Sequence, residues 1–130
     1  MVGVDPWSES LRRLSEPNAR WVVPSDRLRT RWDPTGTVNP RRRDGSTFSD
    51  REAVALVRGC LVNIASGRRD RRTKHRLERL RQAPEFMAMV LAIGGKSRHP
   101  DVYVKWVLSP AGTVPAVWFL SFHSSVRLAP

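Results

Sequence analysis

Guanidinium groups dominate the chemistry this sequence could carry. Residues Arg68–Arg81 read RRDRRTKHRLERLR, seven arginines and one lysine against Asp70 and Glu78. A guanidinium holds a phosphate through two N–H groups at once and stacks on bases, which an ammonium does not. Phosphate binding depends on the density of such groups more than on their spacing, because each contact releases counterions from the polyanion. Arg68, Arg69, Arg71, Arg72, Lys74, Arg76, Arg79 and Arg81 are therefore the candidate nucleic-acid contacts, helped by Arg41, Arg42 and Arg43 in a second basic cluster. The alternative is a merely solvated face. Against it stands the whole chain: 23 basic and 12 acidic residues leave a net charge of +11, which opposes compaction unless a polyanion offsets it. A GC-rich genome would account for arginine in place of lysine, but not for that excess. No recognition-helix signature, RNP-like aromatic pattern or GXXG loop is present, so contact is expected mainly with the nucleic-acid backbone.

Other chemistry has weaker support. His75, His99 and His123 form no His-x-Glu or His-x₃-His pair, and no metal site or cofactor is expected. A small ribonuclease or toxin is the enzymatic alternative, with His123, Lys105 and Arg98 converging at one end of a hairpin. It lacks a strand carboxylate, since Glu52, Glu78 and Glu85 all fall in helix patterns. Gly94-Gly95-Lys96-Ser97 matches the tail of a phosphate-binding loop, but lacks the earlier glycine and follows an apolar helix pattern, so it is a chance match. Met87 and Met89 read as gap-filling core residues. Cys60 is the single cysteine, which excludes an internal disulfide and a Cys-rich zinc site; it falls on an apolar helix face and reads as a small hydrophobe. A third class is a matrix-type viral protein whose basic helix lies on anionic lipid, held mostly by charge.

The elements that must position these residues follow from periodicity and punctuation. Residues 1–47 hold five of the ten prolines and three of the five tryptophans, and read as an irregular arm, partly extended or disordered. Within it Trp7–Glu16 is a short helix, with Trp7, Leu11 and Leu14 on one face and Pro17 ending it. Trp7, Trp21 and Trp32 are expected to anchor the arm on the domain or on a second copy; base stacking is the competing use. Ser49-Asp50-Arg51-Glu52 is a capping box, opening a helix from about Asp50 to Ser66 with Gly67 just past its end. A second helix, Arg71–Gln82, carries the basic stretch on a narrow Leu77–Leu80 stripe. Pro84 starts a third, with Phe86–Ile93 apolar all round and placed at the centre of the core. Asp101–Leu108 alternates as one strand and Thr113–His123 is a second, the two forming a hairpin around Ser109-Pro110-Ala111-Gly112.

The expected fold is thus α+β: an N-terminal arm, about three helices and a C-terminal antiparallel β-hairpin, with residues 48–130 as the compact domain. A lone hairpin would leave Trp106, Trp118, Phe119 and Phe122 hard to cover, so a homo-oligomer through it is expected. The start, MVGVDPWSES, has no apolar h-region, and no run of about 18 apolar residues exists, so the chain is expected to be intracellular, or part of a virion, and not membrane-spanning. The function expected is non-catalytic, structural or assembly binding of nucleic acid, RNA ahead of DNA.

Overall fold

A computed structural model describes residues 5–24, 28, 30–32, 34, 48–68, 73–94, 102–110 and 112–124. Two helices and a six-stranded mixed sheet are formed: α1 (Pro6–Ser15), β1 (Trp21–Val22), β2 (Arg31–Trp32), α2 (Asp50–Ala65), β3 (Thr73–Arg79), β4 (Met87–Ile93), β5 (Val102–Leu108) and β6 (Val117–Ser124). The strands lie in the order β1-β6-β5-β4-β3, with β2 also on β6. β3 to β6 form an antiparallel meander, while β1 and β2 run parallel to β6.

Among the described residues, the expected three helices with a C-terminal hairpin are corrected to two helices and a six-stranded sheet, in which β5 and β6 are inner strands. The segment read as a basic helix, Arg71–Gln82, contains β3, and Phe86–Ile93 contains β4. All seven residues of β3 pair in register with β4, from Thr73 opposite Ile93 to Arg79 opposite Met87. A run apolar on every side suits a strand buried on both faces as well as a buried helix, and seven residues is strand length. β4 is such a strand: Ala88 through Leu91 are all buried. Pro84 does not open a helix. It is the second residue of a tight turn in which the Phe86 amide donates to the Ala83 carbonyl at 2.9 Å, the favoured turn position for proline. The pairing imposed by β4 outweighs the weak strand preference of Lys-His-Arg-Leu-Glu-Arg. Leu77 and Leu80 consequently share no stripe: Leu77 is exposed, and Leu80 is buried. The basic amphipathic helix that was to lie on lipid is not formed.

Other local signals fold as expected. Ser49 Oγ accepts from the Glu52 amide, and the Glu52 carboxylate accepts from the Ser49 amide at 3.0 Å, completing the capping box. Gly67, past the end of α2, has φ +73, a conformation that costs glycine little. In α1 the Asp5 side chain accepts from the Trp7 amide and Pro6 occupies the first turn. Ser49→Ala is expected to cost about 1 kcal/mol in chemical denaturation, the usual loss for such a cap.

The core lies between the helices and one face of the sheet. Ala53, Val57 and Leu61 of α2 meet Leu91, Val104, Trp106, Phe119 and Phe122. The tryptophans before α2 anchor on this same core within the chain. Trp7 lies edge-on to Trp106 with ring centroids 5.9 Å apart, Trp21 to Phe119 at 6.1 Å, and Trp32 lies 5.4 Å from Phe122. Trp106, Phe119 and Phe122 are fully buried, so no second copy is needed to cover these rings.

Arg13 ties α1 to the hairpin turn by donating to the Ala116 carbonyl at 2.9 Å and to Ser109 Oγ at 3.2 Å. Arg13 and Arg12 both clasp Glu9. The charged hydrogen bond from Arg12, with that from Arg13, lowers the Glu9 pKa from 4.5 to about 2 against the opposing effect of burial. A depressed carboxylate stabilises the fold fully above the unfolded pKa and loses that contribution as pH falls through the folded one. Thermal melts of wild type and Glu9→Gln should therefore differ most above pH 4.5 and converge toward pH 2.

Candidate nucleic-acid interface

The face of the sheet turned away from the helices carries the charge. Strand alternation sends Tyr103, Lys105 and Val107 of β5 to this side, opposite the core-facing Val104 and Trp106. The register then brings two rows together across the meander. One runs Lys74–Ala92–Tyr103–His123. The next runs Arg76–Val90–Lys105–Ser121, and Arg31 of β2 extends it beside Ser121. Residues directly opposite in neighbouring strands sit on the same face about 5 Å apart, so four cations from three strands, β2, β3 and β5, share one surface.

Aromatic rings sit among them. Tyr103 and His123, cross-strand partners, stack with centroids 5.2 Å apart and planes 25° apart. Lys105 Nζ lies 5.9 Å from the Tyr103 ring centroid. A bulge in β6 follows these pairs: Lys105 pairs with Ser121 but Trp106 with Phe119, so Leu120 is an extra residue. Leu120 packs with Leu28, Leu80, Ala83, Ala88 and Val107 in a second apolar cluster that covers the rest of the face. Between that cluster and the aromatic pair opens a cavity of about 460 Å³, lined by Arg31, Tyr103, Lys105, Ser121 and His123, with Leu28, Leu80 and Leu120 as apolar wall and Thr30 and Gln82 as further polar groups.

Glu78 is the one acid of β3. Its Oε2 lies 3.1 Å from Lys105 Nζ, an ion pair by distance; the geometry is not that of a hydrogen bond, and Oε2 is shielded from solvent. The carboxylate thus partly neutralises one cation of the face. Glu78→Gln is expected to tighten oligonucleotide binding a few-fold in fluorescence anisotropy, by freeing Lys105 for phosphate.

The candidate residues divide accordingly. Lys74 and Arg76 lie exposed on the open face, on a strand whose outer edge is unpaired among the described residues. Charged side chains on such an edge also block unwanted strand pairing. Arg79 falls on the other side of β3 and donates to the Pro84 carbonyl at 2.6 Å. Arg81 is exposed in the β3–β4 connection, and Arg68 is exposed just past α2. Arg41, Arg42, Arg43, Arg69, Arg71 and Arg72 lie outside the described residues. Arg31 and Tyr103 were not singled out from the sequence, although the polar face of the β5 alternation already held Tyr103 beside Lys105.

Two of the three residues considered for a ribonuclease, Lys105 and His123, do line one cavity, while Arg98 lies outside the described residues. The carboxylate thought absent from the strands is present as Glu78. It does not reach His123: Glu78 is opposite Ala88 and the His123 row passes through Ala92, four residues along β4, or about 13 Å of strand. Among the described residues no cluster of His, Cys, Asp and Glu could hold a metal ion. Cys60 is half-buried against the core.

Comparison with protein-family models, curated proteins and solved structures finds no match to this chain.

Proposed function

We propose that the protein binds RNA inside the cell, without catalysis, in a structural or assembly role. The surface is the open face of the sheet together with its basic edge strand. One observation carries this reading: two adjacent cross-strand rows gather Lys74, Arg76, Lys105 and Arg31 around the stacked Tyr103–His123 pair. Cations drawn from three strands form a broad surface that follows a polyanion, and the net charge of +11 draws one toward it. Contacts of this kind read phosphate and ring faces rather than base sequence, so little sequence preference is expected.

Anisotropy with a labelled single-stranded oligonucleotide at about 50 and 200 mM salt tests the proposal. About six phosphate contacts would give an affinity that falls about 300-fold over that range. Affinity independent of salt, or no binding at the lower salt, would count against it. No described helix is long and apolar enough to cross a membrane.

A further inference from the structure

The cavity beside Tyr103 and His123 has features that phosphate binding alone does not require. A phosphate surface needs cations in solvent. Here two cations, Arg31 and Lys105, stand at a recess whose lining also includes the nearly buried side chains of Leu28, Leu80 and Leu120. It is half-open to solvent, and its volume of about 460 Å³ falls in the range of small-ligand pockets. A wall of this kind suits a flat, partly apolar group carrying an anionic tail.

We infer that this recess receives one unstacked nucleotide of a single-stranded RNA. The inference rests on the proposed RNA-binding function and refines it. The base enters against the Tyr103–His123 rings and the apolar wall, and its flanking phosphates meet Lys105 and Arg31 at the rim. Ser121, Thr30 and Gln82 supply hydroxyl and amide partners for base edges or the 2′-hydroxyl. A duplex keeps its bases stacked and paired and cannot fill the recess without opening, so it binds only through the outer cations.

The test uses the full chain and four labelled probes of equal length: a single-stranded RNA, its RNA duplex, an abasic RNA strand and a single-stranded DNA. The intact RNA strand should bind at least about tenfold more tightly than the duplex or the abasic strand at the same salt. Tyr103→Ala should weaken intact RNA by about 5- to 100-fold, the usual worth of one base–aromatic stack, while leaving its salt slope and the abasic affinity unchanged. Tyr103→Phe keeps the ring and should bind as wild type. The abasic comparison needs only the wild-type protein, so a variant that fails to fold does not blunt the test. Equal affinity for intact, abasic and duplex RNA would overturn the pocket and leave the phosphate surface standing. Tighter binding of the DNA strand would overturn the choice of RNA. Binding to none of the four would remove both the pocket and the proposed function.

Discussion

Replacing Lys74, Arg76 and Lys105 together with glutamine is expected to weaken RNA binding by about 100-fold near 0.1 M salt. For single strands each phosphate contact contributes about 0.7 to the slope of log affinity against log salt. At 0.1 M, relative to 1 M, three contacts are thus about two log units, and the slope itself should become shallower by about 2. Lys74 and Arg76 lie on β3 and Lys105 on β5, with β4 between them, and Arg76 and Lys105 share one row. Glutamine keeps the strand volume and a polar tip. Lys105 is the exception to a clean charge removal, because Glu78 loses its partner; pairing the triple change with Glu78→Gln keeps the face neutral there. Arg51→Gln and Arg58→Gln, exposed on α2, form the control. They remove two charges from the helical side and should shift affinity by no more than the small loss of long-range attraction. Equal losses from both sets would mean that net charge matters and the sheet face does not.

Trp106→Ala is expected to destabilise the fold by about 3–5 kcal/mol in urea or guanidinium denaturation. The side chain is wholly buried between the sheet and α1. Its indole Nε1 donates to Ser10 Oγ at 3.0 Å, and the Ser10 hydroxyl donates onward to the Pro6 carbonyl at 2.7 Å. Trp7 and Phe119 pack on it with centroids 5.9 and 6.2 Å away. Truncation leaves a cavity the size of an indole where α1 meets β5 and strips Ser10, itself fully buried, of its donor. Domains of this size are stable by about 5–15 kcal/mol, so a large share of the margin would go. Ser10→Ala isolates the polar part. It leaves only the indole N–H without a partner and should cost about 1–3 kcal/mol. A cost for Trp106→Ala no larger than that for Ser10→Ala would contradict the packing described.

The sequence was most legible where a local rule operates without tertiary help. The Ser49–Glu52 box, the short helix expected at Trp7–Glu16 and the alternation of β5 each depend on residues within one element, and each is found within a residue or so of the expected place. β3 and β4 were misread because their evidence is shared between them. β4 is apolar on both sides and carries no period to distinguish strand from helix. β3 is polar on nearly every side, and becomes a strand because β4 offers it a complete row of partners. One wrong assignment forced the other. Pro84 supported the error, since proline favours both a first helical turn and the second position of a tight turn. β1 and β2, two residues each, are strands only through β6.

The site was half visible for the same reason. The density of arginine around residues 68–81 marked the charge, but a helix would have spread Lys74 and Arg76 around a cylinder. Only the strand register sets them in rows with Tyr103, His123, Lys105 and Arg31. Arg31, some forty residues before β3, joins the surface through a parallel pairing that no nearby residue announces.

Photo-crosslinking of the intact protein to single-stranded RNA, with the linked peptides identified by mass spectrometry, addresses the location of binding most directly. Crosslinks should fall on β5 and β6 at Tyr103 and His123, on the β2 segment at Arg31 and on β3 at Lys74 and Arg76. Crosslinks confined to α1 and α2, with the open sheet face unlabelled, would contradict the account.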